Sequence, residues 1–296
     1  VEIITKRVHP AGEAVIKVIR LSVLPIREVN QIMVKKPVES LRSPNKKRRI
    51  NLLTEIVAQA EKNNSYRLPK PSMIGWLCLF LKTKKIALKF VVISDTHCRH
   101  HNLKLPEGDV LLHAGDISYK GHKEEIVDFL KWFSKQDFAY KIFIAGNHDF
   151  YLEKAMLPEI ESLIPQNVIY LNDSGLTIDG INIWGSPITP WFFNWAFNRH
   201  RGDDIKVHWD LIPANTDILI THGPVLGIHD TVINSQHVGC RDLLEKVKEI
   251  KPKVHICGHV HEGYGITQKF GTKFINACIL NESYELVNKP VLFTLP

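Results

Sequence analysis

Asp95-x-His97, Gly115-Asp116, Gly146-Asn147-His148-Asp149, Thr221-His222-Gly223 and Gly258-His259-Val260-His261 follow one another along the chain. Together they carry seven side chains able to ligate divalent cations: Asp95, His97, Asp116, Asn147, His222, His259 and His261. Two such cations about 3.5–4 Å apart repel each other unless an anionic ligand lies between them, and Asp116 is the candidate bridge. Asp95, His97 and His261 then complete one ion's shell, and Asn147, His222 and His259 the other's. Mixed carboxylate, imidazole and amide donors are neither the thiolates of structural zinc nor the all-oxygen set of calcium. Manganese, iron and zinc all suit them.

A water shared by two such ions would ionise near neutral pH, since even one zinc lowers a bound water's pKa to about 7. The resulting hydroxide is the expected nucleophile toward phosphorus. His148 is the candidate to stabilise charge on the phosphoryl oxygens and to protonate the leaving oxygen, with Asp149 expected to orient it.

The elements that position these groups are legible as short apolar runs. Phe90–Ile93, Val110–Leu112, Ile142–Ile144, Ile218–Ile220 and Val254–Cys257 each end just before a motif. Read as buried strands, they put all five clusters on loops at strand C-terminal ends, where α/β proteins place their chemistry. Ile126, Phe129, Leu130 and Phe133 recur at i, i+3, i+4 and i+7 within His122–Gln136 and predict a helix with one buried face. Further helices are expected at Glu153–Leu163 and Cys240–Ile250. Leu176–Ile178 and Ile181–Ile183 flank Asp179-Gly180, a dipeptide suited to a tight hairpin. Helices and hairpins in one chain point to two stacked sheets flanked by helices.

These ordered motifs resemble the calcineurin-like metallophosphoesterases, whose D-x-H, G-D, G-N-H-D/E, H and G-H-x-H series is met without a departure. The resemblance covers roughly residues 88–296. It implies an α/β class protein, a four-layer α/β/β/α sandwich with the site at the edge of the two sheets. More narrowly, Thr221–Pro224, Val238–Cys240, His261–Gly265 and the aromatic stretch Pro190–Asn198 are similar to a metallophosphoesterase-domain-containing subgroup, itself similar to class III cyclic nucleotide phosphodiesterases. That implies a metal-dependent phosphoesterase favouring diesters, with cyclic nucleotides as the leading substrate class. Some animal relatives carry Gly at the position of His259, whereas this chain keeps the imidazole.

Two other functions use the same fold: a non-catalytic scaffold and a two-metal nuclease. Loss of catalysis should relax the ligand set, and the intact His148, His259 and His261 lower the scaffold reading. The net charge of +7 bears on the nuclease. Residues 1–89 hold 19 Lys and Arg against 6 Asp and Glu, while residues 90–296 hold 19 against 25. The basic character therefore belongs to a 1–87 extension, expected to have little fold of its own, and the 88–296 domain is mildly acidic. A nucleic-acid partner is accordingly disfavoured against a small phosphodiester or nucleotide.

Within the extension, Asn51–Lys62 reads as a short helix and Lys46-Lys47-Arg48-Arg49 as a basic run. Met73–Leu81 is apolar but shorter than the roughly 20 residues that span a bilayer, and it suits a signal peptide only if translation begins at Met73. Five scattered cysteines without a C-x-x-C pair argue against a disulfide framework and for a cytoplasmic setting. His113 and His255 read as satisfied core residues. His100 and His101 read as solvated loop residues, with substrate contact the sharper alternative. The stretch Trp191–Phe197 reads as packing, or as an aromatic lid beside Arg199 and Arg201.

Overall fold

The computed structural model describes residues 2–8, 14–20 and 87–296, and the chain divides into two units, Val1–Ala87 with Pro296 and Leu88–Leu295. In the first unit, β1 (Glu2–Val8) and β2 (Ala14–Arg20) pair antiparallel, Glu2 opposite Arg20. Asn51–Lys62, the basic run and Met73–Leu81 lie outside the described residues.

The second unit is built on two sheets. In the first, β3 (Leu88–Ile93), β4 (Val110–Ala114), β5 (Tyr140–Ile144) and β6 (Ile169–Tyr170) run parallel, and β15 (Val291–Leu295) closes the β3 edge antiparallel. In the second, β8 (Ile181–Ser186), β11 (Ile218–Thr221), β12 (Val254–Cys257) and β14 (Thr272–Asn276) run parallel, flanked antiparallel by β7 (Ser174–Ile178) and β13 (Gly265–Lys269). Two-residue strands β9 (Thr189–Pro190) and β10 (Asn198–Arg199) pair beside them.

Alternation along the strands decides the layers. Phe90, Val92, Leu112, Ile142 and Ile144 turn toward the second sheet and meet Ile183, Ile218, Ile220, Ile256 and Ile275 in a core closed to water. Their neighbours Val91, Ile93, Leu111 and Phe143 turn outward under α1 (Lys123–Ser134), which buries Ile126, Phe129, Leu130 and Phe133 as its spacing required. On the far side, Leu219 and Phe274 lie under α4 (Asp203–Asp210) and α5 (Arg241–Ile250), through Ile205, Trp209, Leu243 and Val247. The result is the expected α/β/β/α sandwich. Burying each such side chain contributes about 1.5–3 kcal/mol, so the inter-sheet core anchors everything built at its rim.

Local signals act where physics requires. Glu125 accepts hydrogen bonds from Lys120 N and His122 N and so closes the start of α1. Asp179 and Gly180 both take left-handed φ, 48° and 83°, giving the hairpin register Ile178 opposite Ile181. The helix expected over Glu153–Leu163 is instead two, α2 (Phe150–Lys154) and α3 (Leu157–Leu163). Pro158 explains the break: its ring lacks an N–H and would collide with the carbonyl of Lys154.

His113 and His255 are fully buried on the outer faces of β4 and β12. Thr221 donates its hydroxyl proton to Gly223 O, so its oxygen accepts from His255 Nε2, and the ring is the neutral Nε2–H tautomer. His255 Nδ1 has no partner, unlike His113, whose Nδ1 accepts from Gly115 N and whose Nε2 meets Thr96. Burial lowers the His255 pKa to about 3. Above about pH 6.5 the ring is neutral folded or unfolded; between 6.5 and 3 only the unfolded chain takes the proton, so stability falls as pH falls. Denaturant titrations should show the stability difference between wild type and His255→Gln shifting by about 2 kcal/mol toward the variant from pH 7.5 to pH 5. A pH-independent difference would mean the folded ring titrates normally.

Candidate metal centre

All five motif loops leave the C-terminal ends of parallel strands from both sheets, and main-chain hydrogen bonds lace them together past the strand ends. Asp95 N donates to Gly115 O and His97 N to Asp116 O, extending the β3–β4 pairing; Gly258 N donates to His222 O beyond β11 and β12. Other bonds cross between the sheets. His222 Nδ1 lies 2.9 Å from Ala114 O, and His259 N donates to both oxygens of Asp95 at 3.0 and 3.1 Å.

A carbonyl oxygen can only accept, so each imidazole facing one is held in a known orientation. His97 Nδ1 donates to Ser118 O at 3.1 Å, His148 Nδ1 to Tyr119 O at 2.8 Å, and His222 Nδ1 to Ala114 O. His261 Nδ1 is shared between Leu280 O and Asn281 O at 3.1 and 3.0 Å. Each bond turns the opposite ring nitrogen, Nε2, inward. His97 Nε2 lies 3.9 Å from Asp95 Oδ1 and 3.7 Å from Asp116 Oδ2; His261 Nε2 is 3.7 Å from Asp95 Oδ1. His222 Nε2 is 3.3 Å from Asp116 Oδ2 and 2.9 Å from Asn147 Oδ1.

Three ligand-capable groups result: Asp95 with His97 and His261; Asp116 with His222 and His259; and His97 with Asp116 and His148. Within each, the donor atoms lie within 4.8 Å of one another. Six of the seven anticipated side chains fall in these groups, and Asn147 joins them through His222 Nε2; Asp116 and His97 each belong to two of the three. His97 Nε2 is buried without a hydrogen-bond partner. An inward lone pair left unsatisfied beside two carboxylates fits a cation.

Protonation favours the same reading. Burial alone would raise Asp95, but His222 and His261 outweigh it and hold the carboxyl below its ordinary range; Asp116 is held well below by His222 and His148 against the same burial. Burial lowers His97 and His259 to about 4, leaving neutral imidazoles with a free lone pair. His222 differs: burial opposes its charge, yet Asp116 raises it to about 9. A cation there would have to displace that proton.

Backbone strain collects at the same rim. Asp95, His97, Cys98, Asp116 and His259 all have left-handed φ, between 38° and 68°. Non-glycine residues adopt this at a cost of about 1–2 kcal/mol each, and such strain clusters where a site is over-determined by its surroundings.

Asp149 requires a correction. Its buried carboxylate does not face the His148 ring but accepts from Ile117 N, Ser118 N, Ser118 Oγ and Gly146 N, tying the two loops behind Asp116. Burial and Asp116 raise its pKa to about 6. His100 and His101 meet Asp128 of α1 at 3.1 and 2.9 Å, and His100 packs on Phe129 and Trp132. The aromatic stretch divides: Phe197 is in the core, Trp191 to Phe193 are exposed, and Trp195 lies 4.3 Å from the His148 ring. Arg199 and Arg201 are engaged by Asn198 O and His208, and by Val238 O and Gly239 O. Cys98, Cys240, Cys257 and Cys278 are free thiols.

Sequence reasoning passed over three neighbours of the cluster. Cys278 donates its thiol proton to Asp95 Oδ2 at 3.2 Å, and the rings of Tyr119 and Tyr284 stand beside His97. None sits in a motif. Only the position of Tyr119, three residues after Asp116, was a cue.

Fold and site together define a metal-dependent phosphoesterase of the calcineurin type. The chain belongs to the calcineurin-like phosphoesterase family, whose sequence profile matches residues 88–263; these are hydrolases that act with divalent metals. It is 40% identical to metallophosphoesterase domain-containing protein 1 of Homo sapiens, over 70% of this chain and 71% of that protein. UPF0046 protein T07D4.2 of Caenorhabditis elegans is also 40% identical, over 71% of this chain and 60% of the relative. A crystal structure 19% identical in sequence shares the fold with a TM-score of 0.50, over 64% of this chain and 90% of that one.

Three of the four motif glycines, Gly115, Gly146 and Gly258, are steric requirements, which gives a direct test. A Cβ on Gly146 would fall 2.3 Å from Asp116 Oδ1 and 2.5 Å from Asp116 N, whereas one on Gly223 would meet nothing nearer than Thr189 Cγ2 at 3.4 Å. Calorimetric manganese titration should find Gly146→Ala weakened at least tenfold and Gly223→Ala within about twofold of wild type, 1.4 kcal/mol being a factor of ten. Equal affinities would show that Asp116 is free to move.

Proposed function

We propose that this chain hydrolyses phosphodiesters at a pair of divalent cations, with cyclic nucleotides as the leading substrate class. Asp95, His97 and His261 would hold one ion, Asn147, His222 and His259 the other, and Asp116 would serve both. Manganese, iron and zinc suit this donor set. The observation that carries the reading is the inward orientation of four imidazoles around two buried carboxylates, each imposed by a bond from Nδ1 to a main-chain carbonyl. Such outer partners are what metal-ligating histidines require.

When bound, the cations supply positive charge for the phosphoryl oxygens and make water acidic enough to ionise near neutral pH. The chain's own groups do the rest. Asp116 brings negative charge between the two ligand groups, and Cys278 together with His259 N keeps Asp95 from rotating. His148 is half-buried at the mouth, with Nδ1 tied to Tyr119 O. Its Nε2 can carry a proton to the leaving oxygen while the ring stays in place. Asp149 acts as a brace for the Asp116 and Asn147 loops.

The polar groups around the cluster are imidazoles and phenols, while Arg199 is engaged by Asn198 O, His208 and Glu153, and Arg201 by the carbonyls of Val238 and Gly239. This supports a singly charged diester over a doubly charged monoester, which would call for further cations. Subgroup motifs and 40% identity to metallophosphoesterase relatives support the same class.

With manganese present, the protein should turn over bis-p-nitrophenyl phosphate faster than the monoester. His148→Ala should lower kcat about 10²- to 10⁴-fold while manganese affinity is retained, and Asp116→Ala should lose manganese and rate together. Wild-type protein that binds two manganese ions but cleaves neither compound would overturn the reading.

A further inference from the structure

Beyond β14 the chain forms a tight turn centred on Asn281. Its Oδ1 accepts from Ser283 N and Glu285 N at 3.0 and 2.8 Å, its carbonyl accepts from Tyr284 N, and its own N–H donates to Glu285 O. The bridge between Leu280 and Leu286 closes the base of the turn. At its apex Tyr284 adopts φ 58°, a left-handed conformation uncommon for a bulky side chain. The same turn supplies both carbonyls that hold His261 Nδ1. One small structure therefore sets the angle of a candidate ligand and, through a strained backbone position, presents an aromatic ring beside it.

That ring faces the site. Its centroid is 4.9 Å from His97 at an interplanar angle of 70°, and 5.2 Å from His261. Tyr119 stands edge-on to it at 5.6 Å and lies 6.2 Å from both His97 and His148. The tyrosines thus sit over the His97 side of the mouth, and each comes from a loop that orients another histidine: Tyr119 O holds His148. No hydrogen bond among the described residues uses either hydroxyl, and both residues are open to solvent, Tyr119 exposed and Tyr284 half-buried. A phenol is a hydrogen-bond donor near neutral pH. A phenol without a protein partner, held by strained backbone beside two carboxylates, is suited to an incoming acceptor rather than to packing alone.

We propose that Tyr284 is a substrate-contacting residue whose hydroxyl donates a hydrogen bond to a phosphoryl oxygen of the bound ester, with Tyr119 walling the same side. The inference rests on the reading of this site as one for phosphate esters, and it narrows which oxygen-rich ligands the mouth accepts. Its test is therefore made with inorganic phosphate as well as with a substrate.

Manganese-loaded full-length wild type, Tyr284→Phe and Tyr284→Ala are compared for phosphate affinity by calorimetry, for KM and kcat on bis-p-nitrophenyl phosphate, and for manganese affinity. A hydrogen bond to a charged acceptor contributes about 1.5–3 kcal/mol, so Tyr284→Phe should bind phosphate about tenfold more weakly or worse. Its KM should rise in step, with manganese affinity within about twofold of wild type. Tyr284→Phe with wild-type phosphate affinity overturns the contact. So does a parallel loss of manganese, because the ring would then be packing the ligands. Wild type that binds manganese but no phosphate overturns it as well. Phosphate binding that depends on the hydroxyl, in a protein without esterase activity, would sustain the contact while removing the proposed reaction.

Discussion

The structure turns on a modest interaction used four times: an imidazole Nδ1–H donated to a main-chain carbonyl. A free histidine at the end of a strand can rotate and tautomerise, offering either nitrogen to solvent. Tied to Ser118, Tyr119, Ala114 or Leu280 and Asn281, it can offer only Nε2, in only one direction. Three of the acceptors, Ala114, Ser118 and Tyr119, belong to β4 and the Asp116 loop, and the His261 acceptors to the turn beyond β14, so each side chain is oriented by backbone from another segment. The His222 bond to Ala114 reaches from the second sheet to the first, making the relation of the two sheets part of the ligand geometry.

Burying two ionised carboxylates in such a place is costly unless each charge is answered. Asp116 has His148 N and the charged His222, and Asp95 has His259 N and the Cys278 thiol. These partners take up only part of what two carboxylates can accept. The remaining lone pairs, together with the unpartnered His97 Nε2, leave the cluster short of positive charge. The left-handed residues around it add further strain. A core of fully buried Ile, Val, Leu and Phe between the sheets must offset both, which explains why the strands beneath the motifs are almost uninterruptedly apolar.

Much of this was legible because strands and motif residues obey local rules. An apolar run followed by Gly-Asp or Gly-Asn-His-Asp specifies a strand end; at Gly146 the Asp116 carboxylate fills the Cβ position, and at Gly115 His222 Nδ1 and Ala145 O do. Asp149 was misread for a physical reason: adjacency to His148 in sequence suggested contact, but consecutive side chains diverge, and the start of α2 turns this carboxylate inward. The break at Pro158 was written in the sequence and overlooked. So was α4, whose Ile205 and Trp209 fall at i and i+4. Tyr119, Tyr284 and Cys278 were illegible in a stronger sense, because their proximity depends on how loops from different strands meet.

The aromatic stretch shows how tertiary contact gives one segment two roles. Ala196 N donates to Asn147 O and Phe197 N to Glu153 of α2, so two consecutive residues fasten the segment to the His148 loop and to its following helix. Trp195, immediately before these anchors, lies against His148, a half-buried imidazole at the mouth. His148 therefore has an indole on one flank and Tyr119 on the other, with its Nδ1 already spent. A ring so confined loses little further freedom when substrate arrives, and pre-organisation of this kind lowers the entropic cost of placing a proton donor at a leaving group.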